Sequence, residues 1–181
     1  MARYALIYSG RVRNVVIADA DWPGLADADQ AVALADGQAC AVGYTYDGSA
    51  FTPPGPDLDA LRAAHWEAIK AERDRRTLSG GYVVSVEGNP KWFHSDLLSR
   101  SQQIGLVLLG AGIPPGLAWK TMDGSFVSMT QALAGAIFGA AAQQDQATFA
   151  AAEAARTVME ADPQSFDLAS VVWPATYGGA L

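Results

Sequence analysis

The four residues Pro53-Pro54-Gly55-Pro56 constrain this chain more than any other feature of its sequence. Proline fixes φ and lacks an amide hydrogen, so neither a helix nor a β-ladder can run through this stretch. The hydrophobic pattern changes across it. Before it, apolar and aromatic residues fall in short β-branched runs. After it, LDALRAAHWEAIKAERDRR carries helix formers throughout. The pattern predicts two units, 1–56 and 57–181, in an α+β protein. A small N-terminal antiparallel β module is followed by a helix–hairpin–helix–hairpin–long helix module.

In the first unit, RYALIYSGRVRNVVIA reads as two strands around Ser9-Gly10. Further on, GYTYDGSAF suits a hairpin with Asp47-Gly48 at the centre of a type I′ turn, which needs positive φ at both positions. That register sets Tyr46 opposite Ser49 and Tyr44 opposite Phe51. Tyr44, Tyr46 and Phe51 then share one face and can seed a β core.

In the second unit, Asp57 is placed to cap the first helix, with Leu58, Leu61, His65 and Ile69 on one stripe and Trp66 beside it. Ser79-Gly80-Gly81 stops it. The hairpin YVVSVEGNPKWF is expected to turn at Gly88-Asn89 in type II′ geometry. Ser95 or Asp96 caps LLSRSQQIGLVLLG, whose Leu97, Leu98, Ser101, Ile104 and Leu108 share a face. After AGIPPG a third hairpin runs from Leu117 to Ser128, and Thr130 caps a helix that Asp162-Pro163 ends. That helix would be about 45–50 Å long at the usual rise. Its Ala- and Gln-rich middle permits close packing, within the chain or between copies, although heptads with large a and d residues are missing from it.

Little chemistry is legible. The 181 residues carry a formal charge of −7, which disfavours binding to nucleic acid. The single cysteine, Cys40, lies in an apolar run and reads as a small buried hydrophobe, with no disulfide or multi-cysteine zinc site possible. No secretory signal is visible in MARYALIYSGRVR, and the most apolar stretches are about half of a membrane-spanning length. The glycines of GAGIPPG miss the dinucleotide-binding spacing and follow a helix, which reads as a helix stop. His65 lacks a second histidine four residues on, and His94-Ser95-Asp96 is explained by a capped helix start. No nucleophile elbow, phosphate loop or calcium loop is present, so the reading is non-enzymatic, with no metal or cofactor indicated. The residues singled out as core or partner-contact aromatics are Trp92, Phe93, Trp119, Phe126 and Trp173. Together with Trp66, the tryptophans form either core or a protein- or saccharide-binding face.

The strings KWFHSDLLSRSQQIGLVLLG, GIPPGLAWKTMDGSFVSMT and DQATFAAAEAARTVMEADP, in that order, resemble an uncharacterised domain family of tailed bacteriophages and prophages. Its genes lie among tail-fibre and tail-assembly genes. The resemblance spans roughly 79–174, and SFDLASVVWP departs from the aromatic-rich ending of the family. The β module resembles those that open phage tail-fibre proteins. These resemblances imply a virion structural protein of the tail (a fibre, fibre-associated or baseplate-peripheral component), made in the host cytoplasm. Its partners would be other tail proteins and copies of itself, with a trimer favoured and no membrane insertion. The alternatives are a tail-fibre assembly chaperone and a receptor- or saccharide-binding tail module.

Overall fold

The computed structural model describes residues 1–179. It divides into two compact units that meet between Asp57 and Leu58, directly after the proline-rich stretch. Antiparallel strands come first, and helices with further strands follow, so the protein is α+β.

The first unit is a five-stranded antiparallel sheet of β1 (Ala2–Tyr8), β2 (Arg11–Ala18), β3 (Gln30–Leu34), β4 (Thr45–Tyr46) and β5 (Phe51–Thr52), in the order β3-β1-β2-β4-β5. Its type I′ turn is at Ser9-Gly10, where φ is 50° and 73°. The Asp47-Gly48 hairpin differs from the predicted two-residue turn. Gly48 has positive φ but Asp47 does not, and Tyr46 pairs with Phe51 rather than Ser49. Asp47 causes the difference, because its carboxylate accepts from Ser49 N, Ser49 Oγ and Ala50 N, each at 2.8 Å. An aspartate that caps its own loop in this way stabilises a four-residue connection over a tighter one. Tyr44, Tyr46 and Phe51 nevertheless pack together on the core of Ala5, Ile7, Val12, Leu34 and Cys40. The Tyr46 and Phe51 rings lie 4.6 Å apart.

The second unit contains α1 (Leu58–Ser79), the hairpin of β6 (Tyr82–Val86) and β7 (Asn89–Phe93), α2 (Leu97–Leu109), the hairpin of β8 (Ala118–Lys120) and β9 (Phe126–Ser128), and α3 (Gln131–Ala161). The β6–β7 turn is at Glu87-Gly88, with φ of 51° and 83°, a type I′ pair in place of the type II′ turn expected one residue later. This register sets Tyr82 directly opposite Phe93, and both are fully buried. A two-residue slip would keep the faces but oppose Phe93 to Val84, giving up the large aromatic pair.

Within the second unit, the buried side of α3 presents Ala134, Ile137, Ala141, Thr148, Ala152, Ala155 and Met159. The spacing of three and four gives one continuous stripe. Its first half packs with Tyr82, Val84, Phe93, Leu106, Val127 and Met129. Its second half packs on Ile69 of α1. The small residues of α3 therefore serve close packing inside the chain. Residues 163–179 return along α1 and α3, with Phe166, Leu168, Val171 and Trp173 on this second core. Arg76 donates to Pro174 O, Gln144 to Ala175 O, and Tyr177 N to Gly80 O, which fastens the return at three points.

The loop joining β8 to β9 is organised by Asp123. Its carboxylate accepts from Lys91 Nζ (2.8 Å), Thr121 Oγ1 (2.6 Å) and Ser125 N (2.9 Å), which ties the two hairpins together. The Lys91 bond, followed by those from Thr121 and Ser125, holds its pKa far below the ordinary carboxylate range. A depressed carboxylate pKa contributes stability that is present above the unfolded value, near 4, and is lost as pH falls below it toward the folded value. Thermal unfolding followed from pH 6 down to pH 2 is therefore expected to show acid destabilisation that Asp123→Asn reduces. An unchanged pH slope in the variant would reject this role.

Candidate interaction surface

The orientation of α2 is set by its polar residues. Asp96 caps its N-terminus, accepting from Ser99 N at 3.0 Å and Ser99 Oγ at 2.6 Å. The preceding Ser95 is buried and its Oγ accepts from Gly81 N. Gln103 faces inward, where its Nε2 donates to His94 O and its Oε1 accepts from the Tyr82 hydroxyl. Arg100 donates both terminal nitrogens to Asp145 of α3, at 2.6 and 2.8 Å, and further bonds to Ser95 O and Thr77 O. A helix held through Arg100, Gln103 and Leu106 must turn its other side to solvent.

That other side is apolar. Leu97, Leu98, Ser101, Ile104 and Leu108 do share a face, and it is the outward one. Leu97 is 73% exposed, Leu98 68%, Leu108 82% and Ile104 47%. At 1.5 Å per residue the stripe runs about 16 Å along the helix. Val107 and Leu109 flank it, both exposed. A depression lies along each side of the ridge. One, of about 240 Å³, is lined by Ile104, Phe138, Ala141 and Ala142 and ends at the Arg100–Asp145 pair. The other, of about 320 Å³, is lined by His94, Ser99, Gln102, Trp119, Lys120 and Phe126.

The aromatics singled out in the sequence divide between core and surface. Phe93 is fully buried in the first core of the second unit, and Trp119 packs partly against it. Trp92 is half-buried, its ring 6.2 Å from that of Tyr177. Trp173 belongs to the second core and lies beneath the Arg76 guanidinium at 5.2 Å. Phe126 alone of the five stands out, at 65% exposure beside the second depression. His65 is taken up structurally: its Nε2 lies 3.1 Å from Pro163 O and its ring sits edge-on to Phe166. Trp66 lies under two cations, Lys70 and Arg156. Arg100, Asp145 and Gln103 were not among the residues singled out from the sequence, although the polar run Ser99–Gln103 inside a leucine-rich helix was the available signal.

The segment from residue 60 to 170, which holds both hairpins of this unit, α2, α3 and α1 from Ala60 onward, matches the model of a domain of unknown function, DUF4376. The chain belongs to the DUF4376 family. The whole α2 ridge and both depressions lie inside the DUF4376 segment. No curated protein and no solved structure matches the chain. Among the described residues, no group of three or more His, Cys, Asp or Glu side chains is arranged to hold a metal ion, and no helix is long and apolar enough to cross a membrane.

Proposed function

We propose that this protein is a structural component of a bacteriophage tail (a fibre, fibre-associated or baseplate-peripheral protein) that works through protein–protein contacts. The observation that carries the contact role is the α2 ridge, where four large aliphatic side chains between 47% and 82% exposed stand on one face of a helix fixed from behind. Covering what remains exposed of each such side chain is worth about 1–2 kcal/mol, a fraction of the roughly 1.5–3 kcal/mol for full burial, so covering the ridge is favoured. The tail context rests on the resemblance of KWFHSDLLSRSQQIGLVLLG and WKTMDGSFV to phage tail-associated proteins.

A saccharide-binding reading has less behind it. Trp92 and Trp119 spend much of their surface on their own chain, and an isolated Phe126 makes a poor sugar platform. The assembly-chaperone reading uses the same ridge but releases its client. Mass spectrometry of purified virions separates the two. The tail role expects the protein at a fixed ratio to other tail proteins. Presence in the infected lysate together with absence from purified virions would overturn it in favour of the chaperone.

A further inference from the structure

We infer that the α2 ridge is a self-association surface on which α2 of a second copy packs antiparallel across a twofold axis. This rests on the contact role proposed for the ridge and names its occupant.

The first argument is spacing. Leu97, Ser101, Ile104 and Leu108 are separated by four, three and four residues, the d-a-d-a positions of a heptad seam. Such a seam is complementary to another helix rather than to a sheet or a loop. The outward face of α2 carries this spacing from Leu97 to Leu108, with Ser101 as its one small member.

The second argument is symmetry. The spacing four-three-four reads the same in both directions about a point between Gln102 and Gln103. An antiparallel copy centred there sets Leu97 against Leu108 of the partner subunit, and Ser101 against Ile104 of the partner subunit. The small Ser101 then meets a large residue, and the two flanks of the seam, one carrying Leu98 and the other Val107, each face the same flank of the second copy. This is the self-complementarity that an isologous interface requires. A threefold arrangement would not use it.

Three further features agree. No charged residue lies in the seam: Arg100, which flanks it, is paired with Asp145, and Asp96, next to Leu97, is held at the helix N-terminus by Ser99 N and Oγ. Gly105 stands in mid-helix next to the seam, and a Cβ built on it would meet nothing within 4 Å. Without a Cβ at that position, the backbone of a second helix is free to approach closely. With full exposure taken at about 160–200 Å² per side chain, Leu97, Leu98, Ile104, Val107, Leu108, Leu109 and Phe138 offer at most roughly 700 Å² per copy, so a pair can cover up to about 1,400 Å², the lower part of the range of stable specific interfaces.

Size-exclusion chromatography with light scattering on the full chain tests this at tens of micromolar. The wild type is expected at twice 19.0 kDa, and Leu108→Glu at the monomer mass with an unchanged far-UV circular dichroism spectrum, since Leu108 is 82% exposed. Should Leu108→Glu misfold, Leu108→Ser serves in its place. Val172→Glu, 90% exposed and outside the ridge, is expected to remain paired. A wild-type monomer, a trimer, or a Leu108→Glu protein that stays paired would each overturn the inference. Orientation is read by cross-linking in a Cys40→Ala background. Leu97→Cys mixed with Leu108→Cys is expected to form a disulfide-linked pair, and neither alone. Efficient linkage of Leu97→Cys to itself would overturn the antiparallel arrangement. A monomeric protein found at fixed ratio in virions would remove this pairing and leave the tail role standing.

Discussion

Phe93→Ala is expected to destabilise the second unit by about 3–5 kcal/mol, the usual cost of emptying a large aromatic site in a core. Phe93 has no exposed surface and lies opposite Tyr82 in the β6–β7 hairpin. It shares one core with Leu106 of α2, Val127 of β9 and Ile137 of α3. Four elements therefore border the cavity, and all are held by other contacts, so collapse around it is limited. A domain of this size has about 5–15 kcal/mol in total, and the loss takes a large part of it. Far-UV circular dichroism during urea unfolding reports on this unit, since α1, α2 and α3 belong to it. Phe126→Ala is the matched comparison. At 65% exposure Phe126 is expected to change stability by no more than about 0.5 kcal/mol. Equal losses from the two changes would contradict the assignment of Phe93 to the core and Phe126 to the surface.

The sequence was most informative where one residue type dictates the backbone. The proline-rich stretch marks the division between units, and Asp96 and Thr130 cap α2 and α3 as their positions require. Turn details were less legible, because turn type depends on hydrogen bonds that a dipeptide does not reveal. Asp47 carries three such bonds, and they convert an expected two-residue turn into a four-residue loop. The orientation of α2 was not legible at all. Periodicity identifies which residues share a face but not which way the face points. An apolar stripe and a polar stripe on one helix are usually assigned to core and solvent respectively. Here Gln103 and Arg100 find partners on three other elements, and the apolar stripe is turned outward. Partners at sequence separations of 21, 23 and 45 cannot be read from a local window. The interaction surface is thus a consequence of the buried polar contacts, and it became visible only with them.

Removal of Arg100 tests that dependence. Arg100→Ala is expected to cost about 2–4 kcal/mol, a little below the roughly 3–5 kcal/mol for breaking a fully buried ion pair from one side. The side chains of Arg100 and Asp145 are 21% and 30% exposed, so solvent screens the pair only in part. The substitution leaves the Asp145 carboxylate without its bidentate partner and the Ser95 and Thr77 carbonyls without a donor. It also removes the guanidinium from above the Tyr82 ring, 5.6 Å away. Arg100→Lys is expected to recover only part of the loss, because one ammonium group cannot reproduce the planar fork that spans the Asp145 carboxylate and both carbonyls. Asp145→Ala removes the orphaned charge, so the double variant Arg100→Ala/Asp145→Ala should be more stable than the sum of the two single losses predicts, by about 1–2 kcal/mol. Urea unfolding of the four proteins completes the cycle. Losses that add within about 0.5 kcal/mol would show that the pair is not coupled, and with it would fall the account of why α2 turns its leucines to solvent.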